Sequence, residues 1–288
     1  MSLKDKLMDY AQLIKFEHTI FALPFALASL LLLYESFPGF WKIFWIIIAL
    51  VSARSAGMAI NRFIDLPIDE KNPRTKNWVH VTGKVKRHEI LALIIISSTI
   101  FLISTLFINL YAFLLSPLVL FLLWIYPYSK RFTNFPHLIL GVVYFLIPLG
   151  VDIALNERVS FLSILLGTAM AFWVAGFDIL YSLQDYEFDK IYGVKSVAVK
   201  LGISGAIILS RLFHLVTLSS LIALGFVSQK LGSFYFLGIL TLAGFLFYEH
   251  SLVKPSDLSK INKAFFTING YVSIIFLLIV LVDTVFIK

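Results

Sequence analysis

The chain has 288 residues, 59% of them hydrophobic and only 14% charged, with a mean hydropathy of +0.91 and a formal net charge of +7. Soluble domains carry about 45–50% apolar and about 25% charged residues, so the composition excludes an ordinary soluble domain and indicates an integral membrane protein. The absence of cysteine excludes disulfides, thiolate nucleophiles and cysteine-based zinc or iron–sulfur sites. The N-terminus, with Lys4, Asp5, Lys6 and Asp9, is charged and carries no signal-peptide pattern.

Nine apolar segments follow, near 18–34, 41–62, 88–108, 111–128, 135–154, 161–182, 204–227, 232–249 and 265–286. Each is long enough to span as a helix, and barrel strands would alternate over about ten residues instead. Helical spans also satisfy their own backbone hydrogen bonds in lipid. The lysines and arginines concentrate in the N-terminal segment and in the loops after the second, fourth, sixth and eighth segments. The positive-inside rule then puts the N-terminus in the cytoplasm and the C-terminus outside, so the charge reports topology rather than nucleic-acid binding. The expected domain is a single one over 1–288, with two similar halves at about 1–134 and 135–249 and a last helix at 265–286.

The second segment closes on Asn61-Arg62-Phe63-Ile64-Asp65-Leu66-Pro67-Ile68-Asp69. Asn61, Asp65 and Asp69 are four apart, which on a helix places them along one face about 6 Å apart in rise. The sixth segment closes on Tyr181-Ser182-Leu183-Gln184-Asp185-Tyr186-Glu187-Phe188-Asp189, with the same spacing and with Asp178 extending the face upstream. Both segments run from outside to inside, so both acidic runs fall on the cytoplasmic side. Interfacial charge accounts for any single carboxylate. Two runs matched in spacing and side point instead to hard divalent cations, and Mg2+ in such sites usually carries a substrate's phosphates. Glu187 lies off the Asp185/Asp189 face. Pro67 lacks a backbone donor, so the helix is expected to kink or end there. The long, Gly/Pro-marked inside loops after each run read as a lid or cap.

The cations and aromatics fit the same chemistry. Arg54 lies seven residues before Asn61 within a span, where an arginine is a functional candidate or the partner of a buried acid. Lys130 and Arg131, after Tyr126-Pro127-Tyr128, read either as a topology signal or as a diphosphate clamp; Arg74, Lys76 and Lys195 share both readings. His18 opens the first segment, as an interfacial residue or a contact to an aromatic co-substrate. The phenylalanine- and tyrosine-rich helices fit either close packing or an isoprenoid tunnel.

These residues resemble the UbiA superfamily of intramembrane aromatic prenyltransferases. Asn61, Asp65 and Asp69 followed by Asn72-Pro73-Arg74-Thr75 look like its first signature. Tyr181, Asp185 and Asp189 followed by Gly193, Lys195 and Ser196 resemble its second. Phe16-Glu17-His18-Thr19-Ile20-Phe21-Ala22-Leu23-Pro24-Phe25-Ala26 and Tyr126-Pro127-Tyr128-Ser129-Lys130-Arg131 are also family-like, and the group most similar is that of 4-hydroxybenzoate polyprenyltransferases. The stretch Lys76-Asn77-Trp78-Val79-His80-Val81-Thr82-Gly83 departs from the family, which has an arginine and a proline there. The resemblance implies an all-α membrane protein, a bundle of nine transmembrane helices around a central cavity with cytoplasmic cap loops, in the inner membrane. It implies Mg2+-dependent transfer of a polyprenyl group from polyprenyl diphosphate to an aromatic acid. The acceptor is 4-hydroxybenzoate, or alternatively 1,4-dihydroxy-6-naphthoate for menaquinone.

In that reading Asn61, Asp65, Asp69, Asp185 and Asp189 hold Mg2+, and Arg54, Lys130, Arg131, Arg74 and Lys195 take the diphosphate. Asp185 or Asp178 removes the ring proton, the face of Tyr181 shelters the allylic cation, and His18 meets the aromatic acid. A cation-coupled transporter is the alternative from another class, but its acids would sit nearer the midplane. A CDP-alcohol phosphotransferase would carry its acids three and four apart with a following glycine and arginine.

Overall fold

A computed structural model describes residues 3–15, 19–36 and 38–287. The described residues are almost entirely helical: α1 (Leu3–Leu13), α2 (Thr19–Leu33), α3 (Phe40–Asp69), α4 (Arg87–Ile108), α5 (Leu110–Phe132), α6 (Pro136–Asn156), α7 (Phe161–Ser182), α8 (Tyr186–Tyr192), α9 (Val197–Val227), α10 (Ser233–Leu252) and α11 (Asn269–Leu281). Among the described residues, eight helical stretches are long and apolar enough to cross a membrane. The expected segment at 18–34 appears as α2, a shorter apolar helix of 15 residues.

The chain divides into two compact units. In the first, α3 packs along α4 and α5, and α1 lies against α3. At a rise of about 1.5 Å per residue the 30 residues of α3 extend about 45 Å, more than a hydrocarbon core of about 30 Å. The surplus carries the first acidic run. Pro67 does not end α3, which continues to Asp69. A missing donor within the last turn removes a single bond from a helix about to stop. A buried cluster of Leu13, Ala59, Ile60, Ile64, Val79, Val85, Ile90 and Ile94 joins α1, α3, α4 and the loop between α3 and α4. Val79 and Val85 pin that loop, which would otherwise be a long solvated connection. The opposite side of α4 exposes Ile95, Ile96, Leu106 and Phe107, a surface suited to lipid tails.

The second unit holds α2 and α6–α11, with α7 packed between α6 and α9. Glycines allow the close approach of α6 and α7: a Cβ on Gly167 would lie 2.8 Å from the Phe145 carbonyl oxygen, and one on Gly141 would lie 2.9 Å from that of Ala171. Small residues let helix backbones approach closely in lipid, where there is little hydrophobic drive between helices. The α6–α7 turn is closed by Asp152, which accepts from the Ser160 backbone N–H at 2.7 Å and from Asn156 at 2.8 Å. Trp173, fully buried on α7, stacks near Phe25 of α2, which stacks on Phe276 of α11.

Two breaks were not visible in hydropathy. α9 begins at Val197, capped by Ser196 Oγ, which accepts from Val199 N–H. It is interrupted at Gly202, whose φ of 72° and ψ of 170° suit only glycine. Only the stretch after that break matches the apolar segment expected from 204. The second acidic run is also not one continuous helix: α7 stops at Ser182, Leu183–Asp185 form a 3-10 turn, and α8 restarts at Tyr186.

Candidate active site

In the first unit the acidic run is set among cations. Asp65 is 2% exposed. Its Oδ2 accepts from Lys130 Nζ at 2.5 Å and from Asn61 Nδ2 at 3.2 Å. Its Oδ1 lies 3.5 Å from Arg131 Nη1 and is buried without a hydrogen bond among the described residues. Arg131 is oriented by two backbone carbonyls, those of Ile64 at 3.0 Å and Pro127 at 2.9 Å. The i,i+4 spacing on α3 puts Asn61 beside Asp65. The last turn of α5 brings in Lys130 and Arg131, where cations also suit the negative end of the helix.

Asp69, also buried, accepts from or shares a proton with His80 Nε2 at 2.9 Å, and Arg62 Nη1 lies 4.0 Å from the same oxygen. The Asp69 carbonyl accepts from Thr75 Oγ1 at 2.7 Å. Trp78 forms a platform: the Arg62 guanidinium lies 4.1 Å from its centroid, Arg74 5.3 Å and Lys15 Nζ 5.5 Å. Both Trp78 and His80 come from the stretch that departs from the family pattern. Arg54 is half-buried on α3, and its buried Nε has no hydrogen-bond partner among the described residues.

In the second unit Asp178 is half-buried on α7 and pairs with His137 Nδ1 of α6 at 2.7 Å. Tyr181 stacks on Phe265 with centroids 4.0 Å apart. Asp185 ends the 3-10 turn at φ −99° and ψ 4°, in the sparsely occupied region between helix and strand where active-site residues are often found. Asp189 is buried on α8, Glu187 is exposed and Lys195 is half-buried. Gly193, at φ 72°, turns the chain between α8 and Lys195. The face expected to run straight from Tyr181 to Asp189 is therefore bent: a 3-10 turn rotates each residue by about 120° rather than about 100°. His18 lies outside the described residues.

Sequence reasoning missed Arg62, Trp78, His80 and His137. Arg62 adjoins the motif and sits seven residues before Asp69, a spacing that could have flagged it. His80 and His137 reach their acids across 11 and 41 residues, distances that carry no periodic signal.

The donor set of the first run fits a hard divalent cation. Every donor is an oxygen, and Asp65 Oδ1 is a buried carboxylate oxygen with no hydrogen bond among the described residues.

Fold and sites together define an all-helical integral membrane protein with two acidic, metal-suited runs at helix ends. The UbiA prenyltransferase family matches residues 22–271, and the chain belongs to that family. It is a prenyltransferase. The 4-hydroxybenzoate octaprenyltransferase of Marinobacter nauticus is 32% identical over 92% of this chain and 90% of its own length. Among solved structures, the apo UbiA homologue from Aeropyrum pernix K1 is similar with a TM-score of 0.82 and 35% identity, covering 93% of this chain and 98% of that one. A UbiA homologue from Archaeoglobus fulgidus bound to DMAPP and Mg2+ shares the fold, with a TM-score of 0.76 and 17% identity over 96% of this chain and 99% of its own.

Proposed function

We propose that the chain transfers a polyprenyl group from polyprenyl diphosphate to 4-hydroxybenzoate with the help of Mg2+. The observation that carries this reading is the state of Asp65: a buried carboxylate with one oxygen lacking a hydrogen bond among the described residues, flanked by an amide and two cations. The names of the relatives and the Mg2+ and prenyl diphosphate in the Archaeoglobus homologue support it.

Asn61, Asp65 and Asp69 are the Mg2+ ligands of the first run, and Asp185 and Asp189 those of the second. Bound Mg2+ would neutralise the diphosphate and make it a better leaving group. Lys130 and Arg131 exchange a carboxylate oxygen for phosphate oxygens when the diphosphate enters. Arg54, Arg74 and Lys195 take up its remaining charge. Arg62 and His80 keep Asp69 ionised and aimed. The allylic C–O bond breaks, a C–C bond forms ortho to the acceptor hydroxyl, and the ring proton passes to a carboxylate, Asp185 or Asp178. His137 orients Asp178 for that task. The faces of Tyr181 and Phe265 stabilise the allylic cation through their quadrupoles, and His18 contacts the aromatic acid. The nine spans lie in the inner membrane, with the N-terminus and both acidic runs on the cytoplasmic side.

The test is an assay of purified protein with radiolabelled polyprenyl diphosphate, with and without Mg2+, and with 4-hydroxybenzoate or 1,4-dihydroxy-6-naphthoate as acceptor. Label is expected on 4-hydroxybenzoate, and only with Mg2+. Label on the naphthoate alone overturns the acceptor. Diphosphate left intact with both acceptors overturns the reaction.

A further inference from the structure

A second cluster of titratable groups lies outside this chemistry, wholly within the second unit. His214 of α9 and Glu249 and His250 of the last turn of α10 place one ligand atom each within 4.8 Å of the others. They are 2%, 0% and 9% exposed. An imidazole pair beside a carboxylate is costly among membrane helices unless something satisfies it.

The surrounding hydrogen bonds fix which atoms face inward. The Trp173 carbonyl can only accept, so His214 Nε2, 3.2 Å away, carries the proton and Nδ1 presents its lone pair. Trp173 Nε1 donates to Asn269 Oδ1 at 2.8 Å, so Asn269 turns its amide nitrogen to Glu249 Oε1 at 2.6 Å. That leaves Glu249 Oε2 aimed at His214 Nδ1, 3.5 Å away, with no hydrogen bond among the described residues. His250 Nε2 lies 3.0 Å from the same Nδ1. Gly176 leaves room for the ring, since a Cβ there would lie 2.5 Å from His214 Nε2.

We propose that His214 Nδ1, His250 Nε2 and Glu249 Oε2 form a binding site for a borderline divalent transition metal of the Zn2+ type. Metal–ligand bonds of about 2.0–2.1 Å in a tetrahedron put ligand atoms about 3.4 Å apart. The separations from His214 Nδ1, 3.0 Å to His250 Nε2 and 3.5 Å to Glu249 Oε2, are close to that, and the remaining pair lies within 4.8 Å and closes by side-chain rotation. Without a metal, His250 Nε2 must donate to His214, which strips His250 Nδ1 of its proton; Nδ1 and Glu249 Oε2 both then remain buried without partners among the described residues. A metal accepts the lone pairs of both imidazoles and the free carboxylate oxygen together. The Trp173 carbonyl and Asn269 hold the ligands from behind, as such outer partners do in known sites. Two nitrogens and one oxygen suit Zn2+ and not Mg2+, which prefers oxygen. The fourth position is left to a water. Arg211, one turn before His214 on α9, is exposed, and its charge opposes a bound cation, so the three ligands must outweigh it. The site would tie α9 to α10 and is independent of the prenyl-transfer chemistry.

The test uses full-length protein without a histidine tag, purified in detergent, stripped with EDTA and held in excess Mg2+. Zn2+ and Co2+ are then added, bound metal is measured by mass spectrometry, and Co2+ coordination is read from its visible absorption. About one equivalent is expected to remain bound against Mg2+, with a Co2+ spectrum of low coordination number. E249Q and H250Q should each weaken it by about tenfold or more, and D65N should leave it intact. Should H250Q fail to fold, the near-isosteric E249Q carries the comparison. No retained equivalent in the wild type, or equal retention in the wild type and E249Q, overturns the proposal.

Discussion

Replacing Lys130 with methionine separates the roles assigned around Asp65. Lys130 Nζ lies 2.5 Å from Asp65 Oδ2, and Arg131 Nη1 lies 3.5 Å from Oδ1; the carboxylate side chain is 2% exposed and the lysine 25%. With an effective dielectric constant of about 20, the gross attractions are about 7 and about 5 kcal/mol. Desolvation offsets most of each. Arg131 and Asn61 remain in K130M, so the carboxylate is not orphaned, and a net change of about 1–3 kcal/mol is expected. That corresponds to about five- to 150-fold in a binding constant. The direction depends on the ligand. Lys130 competes with a metal ion for Oδ2, so Mn2+ used as a Mg2+ probe should bind K130M more tightly. A prenyl diphosphate loses an ammonium partner and should bind more weakly by a similar factor. Mn2+ titration followed by electron paramagnetic resonance, with and without the diphosphate, measures both. If Mn2+ alone binds K130M no better than the wild type, Lys130 does not occupy a cation ligand and the assignment of Asp65 fails.

D65N and D185N should each lower prenyl transfer by about a thousandfold or more, about 4 kcal/mol of transition-state stabilisation. Both should elute from size exclusion as the wild type does; near-normal turnover by either removes that residue from the ligand set. H80A removes the hydrogen bond to Asp69 and leaves the cations Arg62, 4.0 Å away, and Lys130; it should reduce kcat/KM or Mg2+ affinity about tenfold, the usual cost of losing a partner behind a metal ligand. Steady-state kinetics over a Mg2+ series checks it, and an unchanged Mg2+ dependence argues against the role. G167A pushes a methyl group against the Phe145 carbonyl, 2.8 Å from where its Cβ would be. Overpacking of this kind costs about 1–3 kcal/mol and should shorten the half-life of thermal inactivation in detergent, with kcat little changed before inactivation.

Local spacing was legible wherever the chemistry is local. Asn61 and Asp65 sit one turn apart on α3 as four-residue spacing requires, and their amide–carboxylate contact follows from helix geometry alone. Helix bounds for α4 and α7 fall within a residue of the hydropathy segments, because length in lipid is set by the apolar run. Periodicity failed where the backbone departs from an α-helix. The 3-10 turn at Leu183–Asp185 and the break at Gly202 leave no mark in hydropathy. Divergence from the family at 76–83 marked Trp78 and His80 as unusual, but only loop closure puts His80 on Asp69.

The sequence by itself determined the membrane class, most of the helical spans and the positions of the two acidic runs, since composition and short spacings suffice for burial in lipid and for the one continuous helix face, that of α3. Tertiary structure decided the partners. Lys130 is 65 residues from Asp65, His137 is 41 from Asp178 and His250 is 36 from His214. Each contact exists only because helices far apart in sequence pack side by side. A lone histidine in an apolar span carries no periodic signature. What it meets depends on helix rotation and crossing, which are set by the sum of many small packing contacts.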